Sequence, residues 1–207
     1  MDKKNEVTSL RHLASQSRNL QTAGAKLVEL FGGFSSKELP EKVRAIRLLA
    51  EEAIAQEGTL RQALSKDFLP PLDREDLLLL SQQLALITQR LADAAQKPYL
   101  LRLPHSNRES AALAKALAEC LNLLRQLIME LNHFRKSRDF PRLFQQAQAA
   151  CLEGRRLYAQ SCYTLYGSAN HTREWLAWQQ TLDALYAAML ACQETVFTYE
   201  RIVLKNT

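Results

Sequence analysis

The sequence predicts an all-α protein built from six long antiparallel helices. Strong helix formers, chiefly Ala, Leu, Gln, Glu and Arg, dominate the composition, and the 207 residues include only 6 Gly and 6 Pro. The helix-breaking residues fall in clusters that leave six long segments between them. Within these segments apolar residues recur at steps of three and four, as on one side of a helix, and no segment keeps the two-residue alternation of a strand.

Helix-breaking residues set the boundaries of the six segments. The breakers are Gly32, Gly33, Pro40, Pro70, Pro71, Pro98, Pro104, Pro141 and Gly167. The predicted helices are 7–31, 39–67, 73–97, 106–137, 140–166 and 171–205. Asp73 is a suitable N-cap for the third helix, and the stretch from Ser168 to Thr172 offers several caps for the sixth.

Each segment carries an apolar stripe of its own. The stripe of the first begins at Leu10, and those of the third and fourth begin at Leu77 and Leu113. The second and fifth stripes are weaker. Small residues interrupt both, Gly154 among them in the fifth, and Glu57 interrupts the second. Small residues let neighbouring helices approach closely, and a polar residue in a stripe should be half exposed or paired. The sixth stripe is the longest and contains Trp175, Trp178, Leu182, Leu185, Met189, Cys192, Val196, Tyr199 and Val203.

The sequence shows neither a membrane-spanning segment nor a signal peptide. The strictly apolar runs, such as Leu77 to Leu80, are far shorter than the roughly 20 residues that a bilayer requires. The first residues are polar and lack the apolar core of a signal peptide. We therefore expect a cytoplasmic protein, and contact with the inner face of the membrane stays open as an alternative.

Cysteine spacing, charge and motif content argue against several classes of function. Cys120, Cys151, Cys162 and Cys192 form no C-x-x-C unit, so we expect reduced thiols in or near the core rather than a zinc site. The net charge of +5 is spread over both halves of the chain, which makes nucleic-acid binding the least favoured interpretation. No catalytic motif or phosphate-binding glycine loop occurs, so we expect no enzyme and no cofactor.

Two stretches, Phe68 to Asp76 and Glu200 to Asn206, resemble a known family. The first, FLPPLDRED, is similar to the F-x-x-P-x-D-R-E-D turn of the PhoU-like proteins that accompany Pit-type phosphate transporters. The segment Glu200 to Asn206 is similar to the I-V-L-K segment that closes the family's sequences. The length and the order of six helices agree as well, so the resemblance covers nearly the whole chain. It implies one PhoU-like domain over 1–207, formed by two three-helix bundles with pseudo-repeats at roughly 7–97 and 106–205.

The resemblance also implies a function and a metal site. PhoU-like proteins regulate phosphate transport in the bacterial or archaeal cytoplasm, and related members bind metal through E-x-x-x-D or E-x-A-D motifs on helix surfaces. Glu52 and Glu153 retain the glutamates of two such motifs, but Ile54 and Arg155 occupy the aspartate positions. In the third helix the acidic pair should fall near Ala85 and Leu86, and an aspartate near Gln89. In the sixth helix the acidic pair should fall near Tyr186 and Ala187, and none of these positions holds a carboxylate.

We therefore expect the metal site to have degenerated. One carboxylate per bundle supplies little of the negative charge that must offset dehydration of a cation. Glu52 and Glu153 remain the residual metal candidates, and the alternative is that they are carboxylates paired with a neighbouring Arg. A metal-binding PhoU-type protein, with iron, zinc or nickel, is accordingly the second interpretation.

A basic cluster between the fourth and fifth helices is the candidate partner-binding site. It comprises Arg135, Lys136, Arg138 and Arg142, with Asp139 among them. It could contact acidic lipid headgroups or an acidic loop of a membrane partner, or it could be a solvated turn with favourable charge at a helix C-terminus. The favoured function is a non-enzymatic accessory protein that docks on a Pit-type permease or another cytoplasmic partner, and self-association is left open.

Overall fold

Six α-helices make up the computed structural model, which describes residues 3–66, 72–131, 139–167 and 172–206. The helices are α1 Lys3–Gly32, α2 Leu39–Lys66, α3 Arg74–Leu100, α4 Arg108–Glu130, α5 Phe140–Gly167 and α6 Thr172–Lys205. No strand occurs in the described ranges. The prediction of an all-α protein with six helices is confirmed.

The helices pack as two three-helix bundles joined along a shared interface. In the first bundle α1, α2 and α3 contact one another, and α4, α5 and α6 repeat this arrangement in the second. The bundles meet where α1 packs against α4 and α3 packs against α6, while α2 and α5 share no contact within the described residues. The predicted pair of three-helix bundles is confirmed. The assignment of a single domain with pseudo-repeats at 7–97 and 106–205 stays a prediction.

One apolar core extends through both bundles and is built from the predicted stripes. Leu13, Leu77 and Leu113 are fully buried, and the α6 stripe is buried from Trp178 to Val203. Trp175 lies at the edge of this core, where its ring centroid is 4.9 Å from that of Tyr166. Burial of these stripes supplies most of the stability, at about 1.5–3 kcal/mol for each large apolar side chain.

The two weak stripes are accommodated as the sequence suggests. Gly154 of α5 is buried against α6, and a Cβ atom at this position would lie only 2.8 Å from Sδ of Met189. The missing side chain therefore lets α5 and α6 approach closely. Glu57, the polar residue in the α2 stripe, is largely buried and forms an ion pair with Arg61 one turn later.

The end of α3 differs from the prediction, because the helix continues through Pro98 to Leu100. Proline removes its own N–H donor, but its carbonyl group and those before it can still accept hydrogen bonds. The Leu101 amide donates to the Lys97 carbonyl at 2.9 Å, and the Leu103 amide donates to the Pro98 carbonyl at 2.9 Å. Arg102 then stops the helix with a φ of 54°, the left-handed conformation that usually belongs to glycine after a helix.

The caps also differ in part from the prediction. Asp73 occupies the N-cap position of α3, but its side chain makes no capping hydrogen bond. The fourth helix begins two residues later than predicted, and Asn107 caps it by accepting a hydrogen bond from the Ser110 amide at 2.8 Å. The caps predicted at 168–171 lie outside the described residues, and so does 132–138, the end of the predicted fourth helix.

Arg102→Gly should stabilise the protein against urea unfolding by about 1 kcal/mol. The left-handed conformation costs an L-residue roughly 1–2 kcal/mol, and glycine adopts it without that cost while loosening the unfolded chain. Gln89→Gly, at an exposed position inside α3, is the matched control and should cost about 1 kcal/mol. Destabilisation by both substitutions would contradict the assigned helix end.

Gly154→Ala should destabilise the protein by about 1–3 kcal/mol, although alanine is the better helix former. The new methyl group would lie too close to the side chain of Met189, which is fully buried and would have to shift within the packed core. Gly58→Ala has no neighbour within 4 Å of the new Cβ and should stabilise by about 0.5–1 kcal/mol. The two midpoints of thermal unfolding should therefore move in opposite directions.

Candidate functional site

The two stretches that resemble the PhoU-like family meet in space. Lys205, in the last turn of α6, places Nζ 2.5 Å from Oδ2 of Asp73 and 3.1 Å from Oδ2 of Asp76. Hydrogen bonds to Asp73 and Asp76 raise the pKa of the Lys205 ammonium group. We call these three residues the closing clamp, because they tie the start of α3 to the end of α6. Residues 68–71 of the turn lie outside the described residues.

The residual metal candidates, Glu52 and Glu153, do not form one site. Glu52 is exposed on α2 and accepts a hydrogen bond from Nε2 of Gln56 at 2.9 Å. Glu153 is exposed on α5, and both of its carboxylate oxygens accept hydrogen bonds from Arg156, at 2.7 and 2.8 Å. Because α2 and α5 are not in contact, the fold does not bring the two carboxylates together.

The bidentate contact with Arg156 occupies the Glu153 carboxylate. The hydrogen bonds from Arg156 lower the pKa of the Glu153 carboxyl group, because the guanidinium favours its ionised form. Across the described part of the chain, no group of three or more His, Cys, Asp or Glu residues is placed to hold a metal ion.

A stacked pair of tyrosines occupies the region where the resemblance implies the acidic pair of the sixth helix. The rings of Tyr158 on α5 and Tyr186 on α6 lie 4.0 Å apart between centroids, with an interplanar angle of 4°. The Tyr158 hydroxyl donates to Oδ1 of Asp183 at 2.7 Å, and Nε2 of Gln179 donates to the same oxygen at 2.7 Å. Asp183 is therefore held by two donors of its own chain.

The tyrosine network perturbs the ionisation of Tyr158. Partial burial and the hydrogen bond to the Asp183 carboxylate both raise the pKa of the Tyr158 hydroxyl. Burial disfavours the phenolate, and the carboxylate favours the protonated donor. This network is a structural interaction between α5 and α6 that sequence analysis missed, because its partners are far apart in the chain.

An open groove of about 410 Å³ lies between α3 and α6 beside Asp183. Its charged lining consists of Arg90, Asp93 and Lys97 from α3 and Asp183 from α6, and Arg90 pairs with Asp93 at 3.7 Å. Two basic and two acidic side chains balance, so the described lining has no excess positive charge to attract phosphate. We therefore do not assign the groove as an anion site.

Of the predicted partner-binding residues, only Arg142 is described. Its exposed guanidinium contacts Oδ1 of Asp139 at 3.2 Å and Oε1 of Gln146 at 3.0 Å. Arg135, Lys136 and Arg138 lie outside the described residues. Partner binding by this basic cluster stays a prediction.

An exposed apolar row on α6 was not recognised from the sequence. Leu190, Phe197 and Leu204 follow one another at intervals of seven residues, which places them on one side of the helix. Their exposed fractions are 42%, 41% and 65%, although large apolar side chains dominate the buried side of the same helix. We call these three residues the α6 row. Phe140, two residues before Arg142, lies 5.9 Å from Tyr199 between ring centroids, so α5 begins beside this part of α6.

Two solved structures share this arrangement of helices over nearly their whole length. A PhoU-like protein from Shewanella oneidensis MR-1 superposes with a TM-score of 0.81 at 15% sequence identity, covering 95% of this chain and 99% of that chain. The chain has a PhoU-like fold. A second protein of that bacterium, to which a PhoU-like phosphate regulatory role is ascribed, gives a TM-score of 0.72 at 13% identity, covering 96% of this chain and 100% of that chain.

The comparisons confirm the resemblance drawn from the sequence at the level of the PhoU-like fold. No family profile matches the sequence, and no curated protein matches it. None of the helices in the described ranges has an apolar stretch long enough to cross a bilayer. Both parts of the closing clamp lie in the stretches that resemble the family, but their contact was not predicted from the sequence.

Raising the pH above about 10, the ordinary pKa of tyrosine, should reduce the stability of the protein partly through Tyr158. The folded state holds the Tyr158 proton more tightly than the unfolded state, so this contribution is complete below that pH. It is then lost as the pH rises towards the folded-state pKa.

Urea unfolding of the Tyr158→Phe variant should therefore show a shallower loss of stability above pH 10 than the wild type. Tyr163→Phe, which removes an exposed hydroxyl elsewhere on α5, is the matched control and should keep the steeper loss. Equal slopes for wild type and Tyr158→Phe would contradict the assigned network.

Proposed function

We propose that this protein is a non-enzymatic regulator of phosphate uptake that acts from the cytoplasm on a Pit-type phosphate transporter. The observation that carries the proposal is the PhoU-like fold, shared over 95% of the chain with one solved structure and over 96% with another to which a phosphate regulatory role is ascribed. The residues that would make the protein a catalyst are not apparent in its sequence. We therefore infer that the bundle regulates phosphate uptake through contacts with other proteins.

The α6 row supports docking as the mode of action. Heptad-spaced apolar residues on an exposed helix side are the usual means by which one helix packs against another. Leu190 and Phe197 together present a surface that a single amphipathic helix of a partner could cover. Arg142 begins the neighbouring helix at the same end of α6 and could meet acidic groups at the rim of that contact.

The alternative, a metal-dependent PhoU-type protein, is less well supported. It would require carboxylates that share a helix surface, but Glu153 is engaged by Arg156 and Glu52 is exposed in the other bundle. The region of Tyr186 holds stacked rings in place of an acidic pair. These observations favour a function in protein contact over one in ion binding.

Deletion of the gene should change the rate of phosphate uptake, measured with radiolabelled phosphate in cells grown at fixed phosphate concentration. Complementation with the wild-type gene should restore the original rate. Unchanged uptake in the deletion strain, together with failure of the purified protein to capture the transporter from detergent-solubilised membranes, would overturn the proposal.

The double variant Leu190→Glu/Phe197→Glu should abolish both capture of the transporter and complementation. Charged groups cannot be buried in an apolar contact without a large desolvation cost, whereas they are tolerated on an exposed side. Leu48→Glu on α2 is the matched control, because Leu48 is 50% exposed and lies outside the α6 row. Both variants should keep the helical circular dichroism of the wild type, and loss of capture by Leu48→Glu alone would relocate the docking surface.

A further inference from the structure

A small open cavity at one end of the two bundles is lined by positive charge without negative charge. It has a volume of about 200 Å³ and lies where the end of α3 meets the start of α6. Its charged residues are Arg102 and Arg173, and no ion pair of the described residues involves either of them. Both guanidinium groups are therefore available to an anion. We call this space the arginine cavity, and the rest of its lining is Leu100, Leu101, Leu176, Ala177 and Gln180.

The arginine cavity differs in charge and size from the larger groove that it adjoins. The two share Leu100 and Gln180, but acidic residues balance the basic ones in the larger groove. At about 200 Å³ the arginine cavity is smaller than the roughly 300–1,000 Å³ of pockets that enclose drug-sized ligands. It therefore suits a small group such as a phosphate. Arginine matches phosphate oxygens well, because its planar guanidinium presents several N–H donors in a fixed arrangement.

The backbone holds Arg102 at the cavity in a strained conformation. Its φ of 54° is left-handed, and glycine would adopt this conformation without strain. The Arg102 amide donates to the Tyr99 carbonyl at 3.2 Å, and the Leu103 amide donates to the Pro98 carbonyl at 2.9 Å. Leu103 is also buried, so the chain is fixed on both sides of Arg102. Strained residues held in this way are concentrated at ligand sites, and here the strained residue carries a cation.

Exposed apolar side chains surround the arginine cavity. Tyr166 of α5 lies beside it, because its ring centroid is 4.9 Å from that of Trp175, the residue before Leu176. The large apolar side chains of this end that are at least 48% exposed are Tyr99, Leu100, Tyr163, Tyr166 and Leu176. They come from the ends of three helices, so a single partner helix could not cover them as a row. Leucines and tyrosines around cations are typical of a surface that enters the interfacial region of a bilayer.

The surrounding sequence keeps this end positive. Residues 97–108 contain three basic residues and no acidic one, and residues 161–173 contain Arg173 and no acidic one. Glu109 and Glu174 come next in the two stretches, so this end has four basic residues and two acidic ones. A positive surface with exposed apolar groups complements the anionic lipids that give a membrane surface its negative potential.

We propose that the arginine cavity binds the phosphate group of an anionic membrane lipid. Arg102 and Arg173 contact the phosphate oxygens, and Gln180 supplies an amide to the same headgroup. Leu100 and Leu176 then lie at the boundary between the headgroups and the lipid chains. The lipid supplies both the negative charge and the apolar environment that this end of the molecule fits.

This orientation on the membrane leaves the α6 row accessible. Leu190 follows Leu176 by fourteen residues along α6, which places it roughly 20 Å from the lipid surface. Arg142 begins α5 at the opposite end of the bundle, away from the bilayer. Lipid binding at one end is therefore compatible with contact between the side of α6 and a membrane partner, and it does not depend on that contact.

Sedimentation with sucrose-loaded vesicles tests the proposal on the full-length protein. Vesicles of phosphatidylglycerol and phosphatidylethanolamine should carry the protein into the pellet, and vesicles of phosphatidylcholine alone should not. Added salt should weaken the binding, because exposed charges are screened. Arg102→Gln/Arg173→Gln should bind at least about tenfold more weakly, since each arginine at an anionic surface contributes roughly fivefold in affinity. Arg11→Gln/Arg44→Gln removes the same charge from exposed positions of the first bundle and should bind like the wild type.

Two further variants separate lipid binding from folding. Arg102→Gly should stabilise the protein by removing the left-handed strain, yet it should weaken vesicle binding about fivefold. Loss of binding by a more stable protein cannot be attributed to unfolding. Leu100→Ala/Leu176→Ala should also weaken binding, because affinity for a bilayer grows with the apolar area that it buries. Leu48→Ala/Ile54→Ala, at equally exposed positions of α2, is the matched control and should leave binding unchanged.

Inorganic phosphate distinguishes a lipid from a free anion. At constant ionic strength, millimolar phosphate should neither release the protein from the vesicles nor raise its midpoint of thermal unfolding, because it lacks the apolar part of the ligand. Either effect would assign the arginine cavity to soluble phosphate and overturn the proposal. Failure to sediment with the anionic vesicles, or equal binding by the wild type and Arg102→Gln/Arg173→Gln, would also overturn it. The vesicles contain no transporter, so these results are independent of the test of the regulatory function.

Discussion

The packing of α1 against α4 and of α3 against α6 is the constraint on which the rest of the structure depends. Each three-helix bundle has an apolar side that it cannot cover alone, and the four inner helices cover one another. The outer helices α2 and α5 are then free to differ in sequence, provided that each presents one apolar stripe inward. Glu52 and Glu153 are exposed on these outer helices, so the fold does not depend on further acidic residues beside them.

The helices could be predicted from the sequence because each apolar stripe is a local pattern along the chain. Steps of three and four residues located six helices, and the resemblance of two short stretches implied the PhoU-like pair of three-helix bundles. Helix ends were less predictable. Pro98 predicts a helix end, but a proline in the last turn removes only one donor, and the helix stops at Arg102. The identity of Arg102 does not predict that its backbone adopts the left-handed conformation.

Features of the candidate site could be predicted only where they depend on the residue type at one position of the sequence. The resemblance implied aspartates at the positions of Ile54 and Arg155, but it did not indicate which contacts form near them. The stack of Tyr158 on Tyr186 and the contact of Cys120 with Met189 join residues on different helices. Such contacts depend on the rotation of each helix about its axis, which no local pattern specifies to within one side chain. The N-cap predicted at Asp73 shows the same limit. The Asp73 carboxylate pairs with Lys205 of α6 and makes no capping hydrogen bond.

The unequal distribution of the indole rings makes the second bundle optically distinct from the first. Both tryptophans of the chain, Trp175 and Trp178, lie on α6, whereas α1, α2 and α3 have none. Fluorescence emission consequently follows the solvation of α6, while far-ultraviolet dichroism follows all six helices. If the shared interface makes the halves melt as one cooperative unit, the two signals will superimpose. A dichroism change that precedes the emission change would mark the first bundle as the weaker half.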